Sequence, residues 1–293
     1  MLYRHSLYGV ASLIVAMTLA AAGARAQGGP NPGHPSGSDC GSLPSHSALQ
    51  SALSTALAAE NSGLNNQMWA TIVDRDGVVC AVAFSGANRG AQWPGSRLIS
   101  AQKANTANAF SLDSSSHANG KGQAAGLALS TANLFTAVQP GGSLFGLQES
   151  NPVDTKVAYQ GPSSQYGQDN DPMVGNKIGG VNVFGGGLAL FASGKVIVGG
   201  LGVSGDTSCT DHDVAWRVRH ALGLDHLLGV GGVSGDANRP DNIIYDITTN
   251  PDGTGGTGQM PNGSGGVGTS ASGFGHPKCA GFGNPAALPA VQQ

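Results

Sequence analysis

Two pairs of apolar, β-branched segments, each joined by a short turn, constrain the fold of this chain more than any other feature. Segments 68–73 and 78–84 flank the turn DRDG, and an Asp-Gly pair between two such segments is a strong hairpin signal. Segments 188–192 and 195–203 flank a Ser-Gly turn. Because a turn of a few residues can join only antiparallel strands, both pairs predict an antiparallel sheet.

Helical patterns precede, separate and follow the two hairpins. Ser45 is a candidate N-cap for a first helix that has a leucine at every fourth position on one face. Further patterns predict helices over 98–110, 123–138 and 211–222. The order helix, hairpin, helices, hairpin, helix is typical of the α+β class, in which helices pack on an antiparallel sheet.

The two ends of the chain differ from this body in composition. Residues 1–26 combine a basic start, a short apolar run and an Ala-Arg-Ala cleavage pattern, and we expect them to form a secretory signal peptide. Glycine, proline and serine dominate 27–44, which predicts a flexible leader, and 248–293 is a Gly-rich tail. The predicted domain spans 45–247 and contains a long, irregular insertion at about 133–180.

Charge is scarce in this chain. Charged residues make up 11% of the sequence, whereas typical soluble domains contain about 25%. With 14 Lys and Arg against 17 Asp and Glu, the chain lacks the basic surface that nucleic-acid binding requires. No second apolar run of membrane-spanning length follows the signal peptide. We therefore expect a periplasmic or secreted protein with no membrane span after cleavage and no nucleic-acid partner.

The four cysteines are Cys40, Cys80, Cys209 and Cys279. An even number in an exported protein predicts two disulfides, for which three connectivities are possible. Sequential pairing, Cys40 with Cys80 and Cys209 with Cys279, is our working expectation. The chain contains no C-x-x-C motif, which argues against a zinc ribbon, a thioredoxin-type redox pair and covalently attached c-type haem.

Two short motifs match enzyme signatures outside their usual surroundings. Residues 200–205 match the glycine pattern of dinucleotide-binding loops, but they follow an antiparallel hairpin and no βαβ units surround them. We interpret these glycines as a sharp turn into the last helix. Ser100 and Lys103 match the S-x-x-K of serine β-lactamases, whose partner motifs S-D-N and K-T-G are missing. A serine hydrolase built on Ser100 and Lys103 is therefore a minor alternative.

Candidate binding residues are two histidines and three cations. His46 and His212 lie near the starts of predicted helices and are candidate metal ligands. Arg89, Arg97 and Lys103 form a local positive region that can bind carboxylates. Two ordinary explanations stay open, in which the histidines belong to polar helix caps and the cations to solvated loops and helix starts.

Three stretches together resemble the GlcG/HbpS-type haem-binding proteins. They are 70–77 (ATIVDRDG), 100–107 (SAQKANTA), and the glycines of 186–206 ending in GVSGD, with DVA following at 213–215. The order and spacing match the family from about residue 45 to residue 221. Compared with compact members, this chain adds the long insertion, the four cysteines and the Gly-rich tail.

The resemblance implies a five-stranded antiparallel sheet of profilin-like type, homo-oligomers, and non-covalent binding of haem b or, alternatively, a corrinoid. Our working hypothesis is an exported haem-binding protein in haem or iron handling or redox sensing. Arg89, Arg97 or Lys103 would bind the propionates, and His46 or His212 would bind the iron. The main alternative is a non-enzymatic oligomeric module of the cell envelope that binds another exported protein. An enzyme is the less favoured interpretation because no catalytic constellation is evident.

Overall fold

A four-stranded antiparallel sheet runs through the centre of the protein. A computed structural model describes residues 39–116, 125–252 and 267–293, all within one compact unit. The strands are β1 (Trp69–Asp74), β2 (Val79–Phe84), β3 (Leu127–Ala128), β4 (Gly187–Ala192), β5 (Val196–Ser204) and β6 (Gly231–Gly232). The sheet order is β2-β1-β5-β4, and β3 pairs with β6 in a separate, parallel pair.

The sheet confirms the α+β class and both predicted hairpins. β1 pairs with β2 and β4 with β5, in each case antiparallel, and β1 also pairs antiparallel with β5 at the centre. The central sheet has four strands in the described part of the chain, rather than the five that the family resemblance implies.

Three long helices pack on this sheet. The helices are α1 (His46–Ala58), α2 (Gly95–Ala109), α3 (Leu134–Ala137), α4 (Thr155–Ala158) and α5 (Ser208–Ala221), and short 3-10 helices cover Asp39–Ser42, Arg89–Ala91, Leu147–Glu149, Ser163–Gln165 and Pro285–Ala287. The predicted cap of α1 is present, since Ser45 Oγ accepts a hydrogen bond from Ala48 N. Helix α5 begins three residues earlier than predicted because Thr207 caps it.

The predicted helix over 123–138 is wrong over most of its described length. Leu127 exchanges two backbone hydrogen bonds of 2.8 Å with Leu112, and β3 pairs with β6. Thr131 exchanges hydrogen bonds with Gly187 at the start of β4. These long-range backbone partners hold the segment extended against its helical propensity, and only α3 is helical.

Each face of the sheet is covered, as the alternation along β1 shows. Ala70 and Ile72 point into a core shared with α1 and α5. Trp69 and Val73 point to the opposite face, where α2 and the insertion cover them. The insertion therefore supplies the second layer beside α2.

The glycines at 200–205 serve helix packing more than turn formation. Gly200 and Gly202 lie within β5, directly beneath the backbone of α2. Only Gly205 belongs to the passage into α5. The expectation that the whole motif forms a sharp turn is therefore corrected, because its first two positions allow a close approach of helix and sheet.

The described parts of the leader and tail are tied to this body. Disulfides join Cys40 to Cys80 and Cys209 to Cys279, which is the sequential pairing. At the end of the chain, Pro289 O accepts a hydrogen bond from the Trp216 indole. The expected signal peptide at 1–26 and most of the leader lie outside the described residues. Within the described residues, every helix is too short or too polar to cross a bilayer.

Candidate functional site

A surface cavity of about 340 Å³ lies where the end of β2 meets the following loop and the insertion. This volume falls in the lower part of the range for small-molecule sites, about 300–1,000 Å³. We call it the aromatic cavity. Its lining residues are Trp69, Phe84, Gly86, Ala87, Asn88, Arg89, Ser163, Ser164, Tyr166 and Gln168.

Two stacked aromatic rings form the buried side of the aromatic cavity. Trp69 begins β1 and Phe84 ends β2, and the hairpin register places them opposite one another. Their ring centroids are 4.1 Å apart, and the planes differ by 14°. The Trp69 indole nitrogen is buried and has no hydrogen-bond partner among the described residues. The stack thus combines a flat apolar surface with one unsatisfied donor, a composition suited to an aromatic ligand.

His46 lies beside the cavity without lining it. Its Nε2 is 2.9 Å from Gly167 O, and because a carbonyl only accepts, Nε2 carries the proton. Gly167 packs directly on the aromatic stack, since a Cβ there would lie 2.6 Å from Phe84 Cβ. His46 Nδ1 makes no hydrogen bond within the described ranges, so this ring nitrogen has no protein partner that would compete with a ligand.

Arg89 supplies the positive charge of the cavity rim. It is exposed, lines the cavity, and donates from Nη1 to Ser163 Oγ at 2.8 Å. A guanidinium held by a single exposed hydrogen bond to a neutral hydroxyl remains able to bind a carboxylate.

Arg97 lies beneath the insertion and is already paired. Its guanidinium makes a bidentate ion pair with Asp171, donates to Ala158 O at 2.8 Å, and stacks 3.7 Å from the centroid of Tyr166. Asp171 Oδ2 also accepts from Gly167 N at 2.7 Å. The Arg97 guanidinium is thus occupied by buried partners within the protein. It also holds in place the segment that carries Tyr166, which lines the cavity, and Gly167, which packs on the aromatic stack.

Lys103 is also buried and lies apart from the residues that line the cavity. Its ammonium is 2.6 Å from Asp211 Oδ2, donates to Val203 O at 3.0 Å, and lies over the ring of Phe184. Burial lowers the pKa of Lys103, and the Asp211 charge opposes that shift. Burial raises the pKa of Asp211 to about 6, so this carboxyl is ionised at neutral pH.

Ser100 and Lys103 do not form an accessible nucleophile and base. Ser100 is fully buried, donates its hydroxyl to Arg97 O at 2.7 Å, and lies 2.7 Å from Thr71 Oγ1. The Lys103 ammonium is bonded to Asp211 and not to Ser100. The geometry gives the serine-hydrolase alternative no support, and we do not retain it.

His212 is enclosed between α5 and the segment at 242–243. Its Nε2 accepts from Ile243 N at 3.2 Å and lies 3.1 Å from the Asn242 side chain, while Nδ1 is buried and has no partner in the described part of the chain. Burial lowers the pKa of His212 to about 4, so the ring is neutral. His46 and His212 share no hydrogen-bond partner, and only His46 lies next to the cavity.

A sequence model of a protein family described as "Haem degrading protein HbpS-like" matches residues 45–219, which is more than half of the chain. The chain belongs to the HbpS-like family. Its members are named for haem degradation, which places this protein in a family that handles haem. The matched stretch contains His46, the aromatic stack and Arg89, and it also contains the insertion.

Solved structures similar to this HbpS-like chain come from several proteins. The Klebsiella pneumoniae protein ORFY is 21% identical, with 61% of this chain and 90% of that chain covered and a TM-score of 0.38. The haem complex of PduOC is 23% identical, with 60% and 89% covered and a TM-score of 0.37. A double mutant of Streptomyces reticuli HbpS is 14% identical, with 73% and 99% covered and a TM-score of 0.38. No curated protein matches the chain significantly.

One residue of the HbpS-like motif at 213–215 is a buried acid. Asp213 has one carboxyl oxygen without a partner, and the nearby Tyr245 hydroxyl is also buried and unpaired among the described residues. Burial raises the pKa of Asp213 to about 7, and the negative charge of Glu60 adds to this shift while Arg217 opposes it. Asp213 is therefore mainly protonated in the folded protein below about pH 7.

Replacing Asp213 with Asn is expected to stabilise the HbpS-like domain above pH 7. The folded pKa lies above the ordinary value of 3.8, so stability from this group is present at low pH and is lost as the pH rises through about 7. The gain from Asp213→Asn should grow between about pH 4 and pH 7, to on the order of 2 kcal/mol. Urea unfolding at several pH values measures it, with the exposed Asp169→Asn as a control. A gain independent of pH would contradict the buried neutral acid.

The sequence indicated His46 and Arg89 but missed the aromatic stack. A register shift between Ile72 and Val73 brings Trp69 opposite Phe84, and the position of the turn alone does not predict that shift. Asp171 had no comparable signal, because it lies in an irregular segment 74 residues from Arg97.

Proposed function

We propose that this protein is an exported haem-binding protein and that it binds haem non-covalently at the aromatic cavity. Membership of a haem-degrading family supports the ligand class. The observation that carries the location is the stacked Trp69 and Phe84 pair, with a free imidazole nitrogen on one side and an exposed guanidinium on the other. A flat apolar surface, a neutral imidazole and a carboxylate-binding cation are the groups that a haem requires of a protein.

Each of these residues has a distinct role in the proposal. Trp69 and Phe84 face the macrocycle from the buried side of the cavity. Arg89 binds a propionate. His46 Nδ1 is the iron ligand, while Nε2 stays hydrogen-bonded to Gly167 O and holds the ring in place. The bound haem would supply redox-active iron. A corrinoid is the alternative ligand, since it offers a similar flat macrocycle.

A second copy of the chain completes the site in this proposal. The cavity is open and small for a tetrapyrrole, so one chain would cover only part of the ligand. Trp93 is 52% exposed and lies two residues after the 3-10 helix that begins at Arg89, where it is placed to contact a partner. The two disulfides support a periplasmic or extracellular location, because such bonds persist in oxidising compartments.

Haem titration of the mature, oxidised protein tests the proposal. We expect a saturable Soret band, a complex that survives gel filtration, and dimers or larger oligomers in the haem-bound fraction. Cobalamin titrated in parallel tests the corrinoid alternative. A protein that shows no saturable complex with either ligand would overturn the proposal and leave the partner-binding module of the envelope as the better hypothesis.

His46→Ala and Arg89→Ala should separate the two ligand roles. His46→Ala should shift the Soret maximum because the iron loses its protein ligand. Arg89→Ala should leave the maximum in place and weaken binding about 10-fold to 100-fold, the loss expected for one charge-assisted hydrogen bond. His226→Ala is the matched control, since His226 is bonded to Gln293 O at the end of the chain. A spectrum of His46→Ala identical to that of the control would contradict the ligand assignment.

A further inference from the structure

A histidine lies beside the disulfide at the start of α5. Cys209 lies in the first turn of α5, and Cys279 lies on an irregular segment of the tail. His276 Nδ1 is 4.0 Å from Cys209 Sγ, and the two sulfurs and one ring nitrogen all lie within 4.8 Å of one another. Two cysteines and a histidine at this spacing are a set of ligands that zinc accepts.

Hydrogen bonds at both ring nitrogens orient His276 for metal binding. Its ring is buried, and Nε2 is held 2.5 Å from Ser208 Oγ. Nδ1 donates to Pro277 O at 2.7 Å, so Nε2 accepts from the serine hydroxyl. Metal-bound histidines normally have their second ring nitrogen fixed by a hydrogen bond, and Ser208 provides that partner here.

The two sulfurs differ in access and in environment. Cys209 is fully buried, whereas Cys279 is half-buried. Cys279 Sγ accepts a hydrogen bond from Cys209 N at 3.1 Å. Backbone amides at a helix start stabilise thiolates and lower their pKa. This backbone N–H is therefore positioned to stabilise a Cys279 thiolate once the disulfide is opened.

The other disulfide lacks these features and serves as an internal comparison. Cys40 and Cys80 lie near Asp74 and have no histidine in their ligand group. The Asp74 carboxylate is already occupied by backbone N–H groups, at 3.0 Å from Asp76, 2.8 Å from Val78 and 3.2 Å from Asp39. This carboxylate is committed to shaping the first hairpin.

We propose that Cys209, Cys279 and His276 form a redox-gated zinc site. A small dithiol reductant attacks the sulfur of Cys279, the less buried of the two cysteines, the Cys209 sulfur leaves as a thiolate, and the second thiol of the reductant closes its own disulfide and releases Cys279. Two electrons pass from the dithiol to the protein disulfide, and the reductant leaves as a cyclic disulfide.

Zinc then replaces the thiol protons. The ring proton of His276 moves from Nδ1 to Nε2, which donates to Ser208 Oγ, and Nδ1 binds the metal. The two thiols release their protons to solvent, and water takes the fourth position. Zinc–sulfur bonds are about 2.3 Å, so the sulfurs must separate, and the irregular segment carrying Cys279 allows that movement. The tail thus stays attached to α5 in both redox states, first by a covalent bond and then by a metal.

Alkylation mapping of the wild-type protein tests the site without substitutions. The mature protein is reduced with dithiothreitol under nitrogen, freed of reductant, and treated with iodoacetamide with or without one equivalent of zinc. We expect zinc to slow alkylation of Cys209 and Cys279 at least 10-fold and to leave Cys40 and Cys80 unprotected. Equal alkylation of all four cysteines with and without zinc would overturn the proposal, as would protection confined to Cys40 and Cys80.

Cobalt binding measures the histidine ligand separately. Reduced Cys40→Ser/Cys80→Ser protein should bind one equivalent of Co²⁺ and develop thiolate-to-cobalt charge-transfer and tetrahedral bands, and the oxidised form should develop neither. His276→Gln on the same background should weaken Co²⁺ binding at least 10-fold. Unchanged affinity in His276→Gln, or equal binding by the oxidised form, would overturn the site. If His276→Gln does not fold, loss of one cobalt equivalent in Cys279→Ser is the required result. None of these readouts involves haem.

Discussion

Replacing Lys103 with methionine is expected to lower the free energy of unfolding by about 3–5 kcal/mol. Methionine fills most of the lysine volume, but it leaves the fully buried Asp211 carboxylate without its counter-charge. It also removes the donor to Val203 O at the end of β5. An uncompensated buried charge costs much more than a lost surface ion pair, so the effect should far exceed that of an ordinary lysine substitution. Urea unfolding at pH 7 with both disulfides intact measures the change.

Two further variants isolate the charge effect. Adding Asp211→Asn to Lys103→Met should recover about 2 kcal/mol, because the amide oxygen can still accept from the backbone N–H groups of Gly205 and Asp206 without carrying a charge. Lys156→Met, on the exposed insertion, should stay within about 0.5 kcal/mol of wild type. If Lys103→Met were as mild as Lys156→Met, the buried pair would not stabilise the link between α2 and the first turn of α5.

Local signals made the sheet and its hairpins predictable. The DRDG turn and the flanking β-branched runs lie within 17 residues of one another, and the structure keeps their pairing from Trp69 with Phe84 to the turn. The Ser45 cap likewise depends on a contact between residues three positions apart, Ser45 and Ala48. The helix prediction failed at 126–131 because the hydrogen bonds that set the conformation of this segment come from Leu112, Gly187 and β6.

The sequence could indicate a site residue only where the side chain is exposed and its surroundings do not depend on partners far away in the sequence. Arg89 is exposed and lines the cavity, and its role in binding a propionate stays a prediction. In the sequence, Arg97 and Lys103 look like Arg89, as nearby cations in a chain with little charge. Their partners, however, lie 74 and 108 residues away, in the insertion and in α5. A single sequence does not reveal which cations meet a buried acid. The scarcity of charge in this chain is itself informative, because three of its cations, Arg97, Lys103 and Arg219, are committed to buried pairs.

Replacing Gly202 with alanine is expected to destabilise the fold by about 3 kcal/mol, at the upper end of the usual range for overpacking. A Cβ at this position would lie 1.9 Å from Ser100 O and 2.5 Å from Ala104 N. Both neighbours are backbone atoms of α2, so the contact cannot be relieved by turning a side chain. The helix would have to move away from β5, and it carries both Arg97 and Lys103 into their buried pairs.

Gly95→Ala is the matched control for this prediction. Gly95 is the first residue of α2, and a Cβ there would meet no atom within 4 Å. Gly95→Ala should therefore leave stability unchanged or raise it by about 0.5 kcal/mol through the lower entropy of the unfolded chain. Urea unfolding of the two variants compares the same substitution, glycine to alanine, at a position of β5 that faces α2 and at the uncrowded start of α2. Equal effects would show that α2 can shift freely on β5. A large loss confined to Gly202→Ala would assign the first part of the glycine motif to helix–sheet contact, which explains why it matches a nucleotide-binding pattern in a chain without βαβ units.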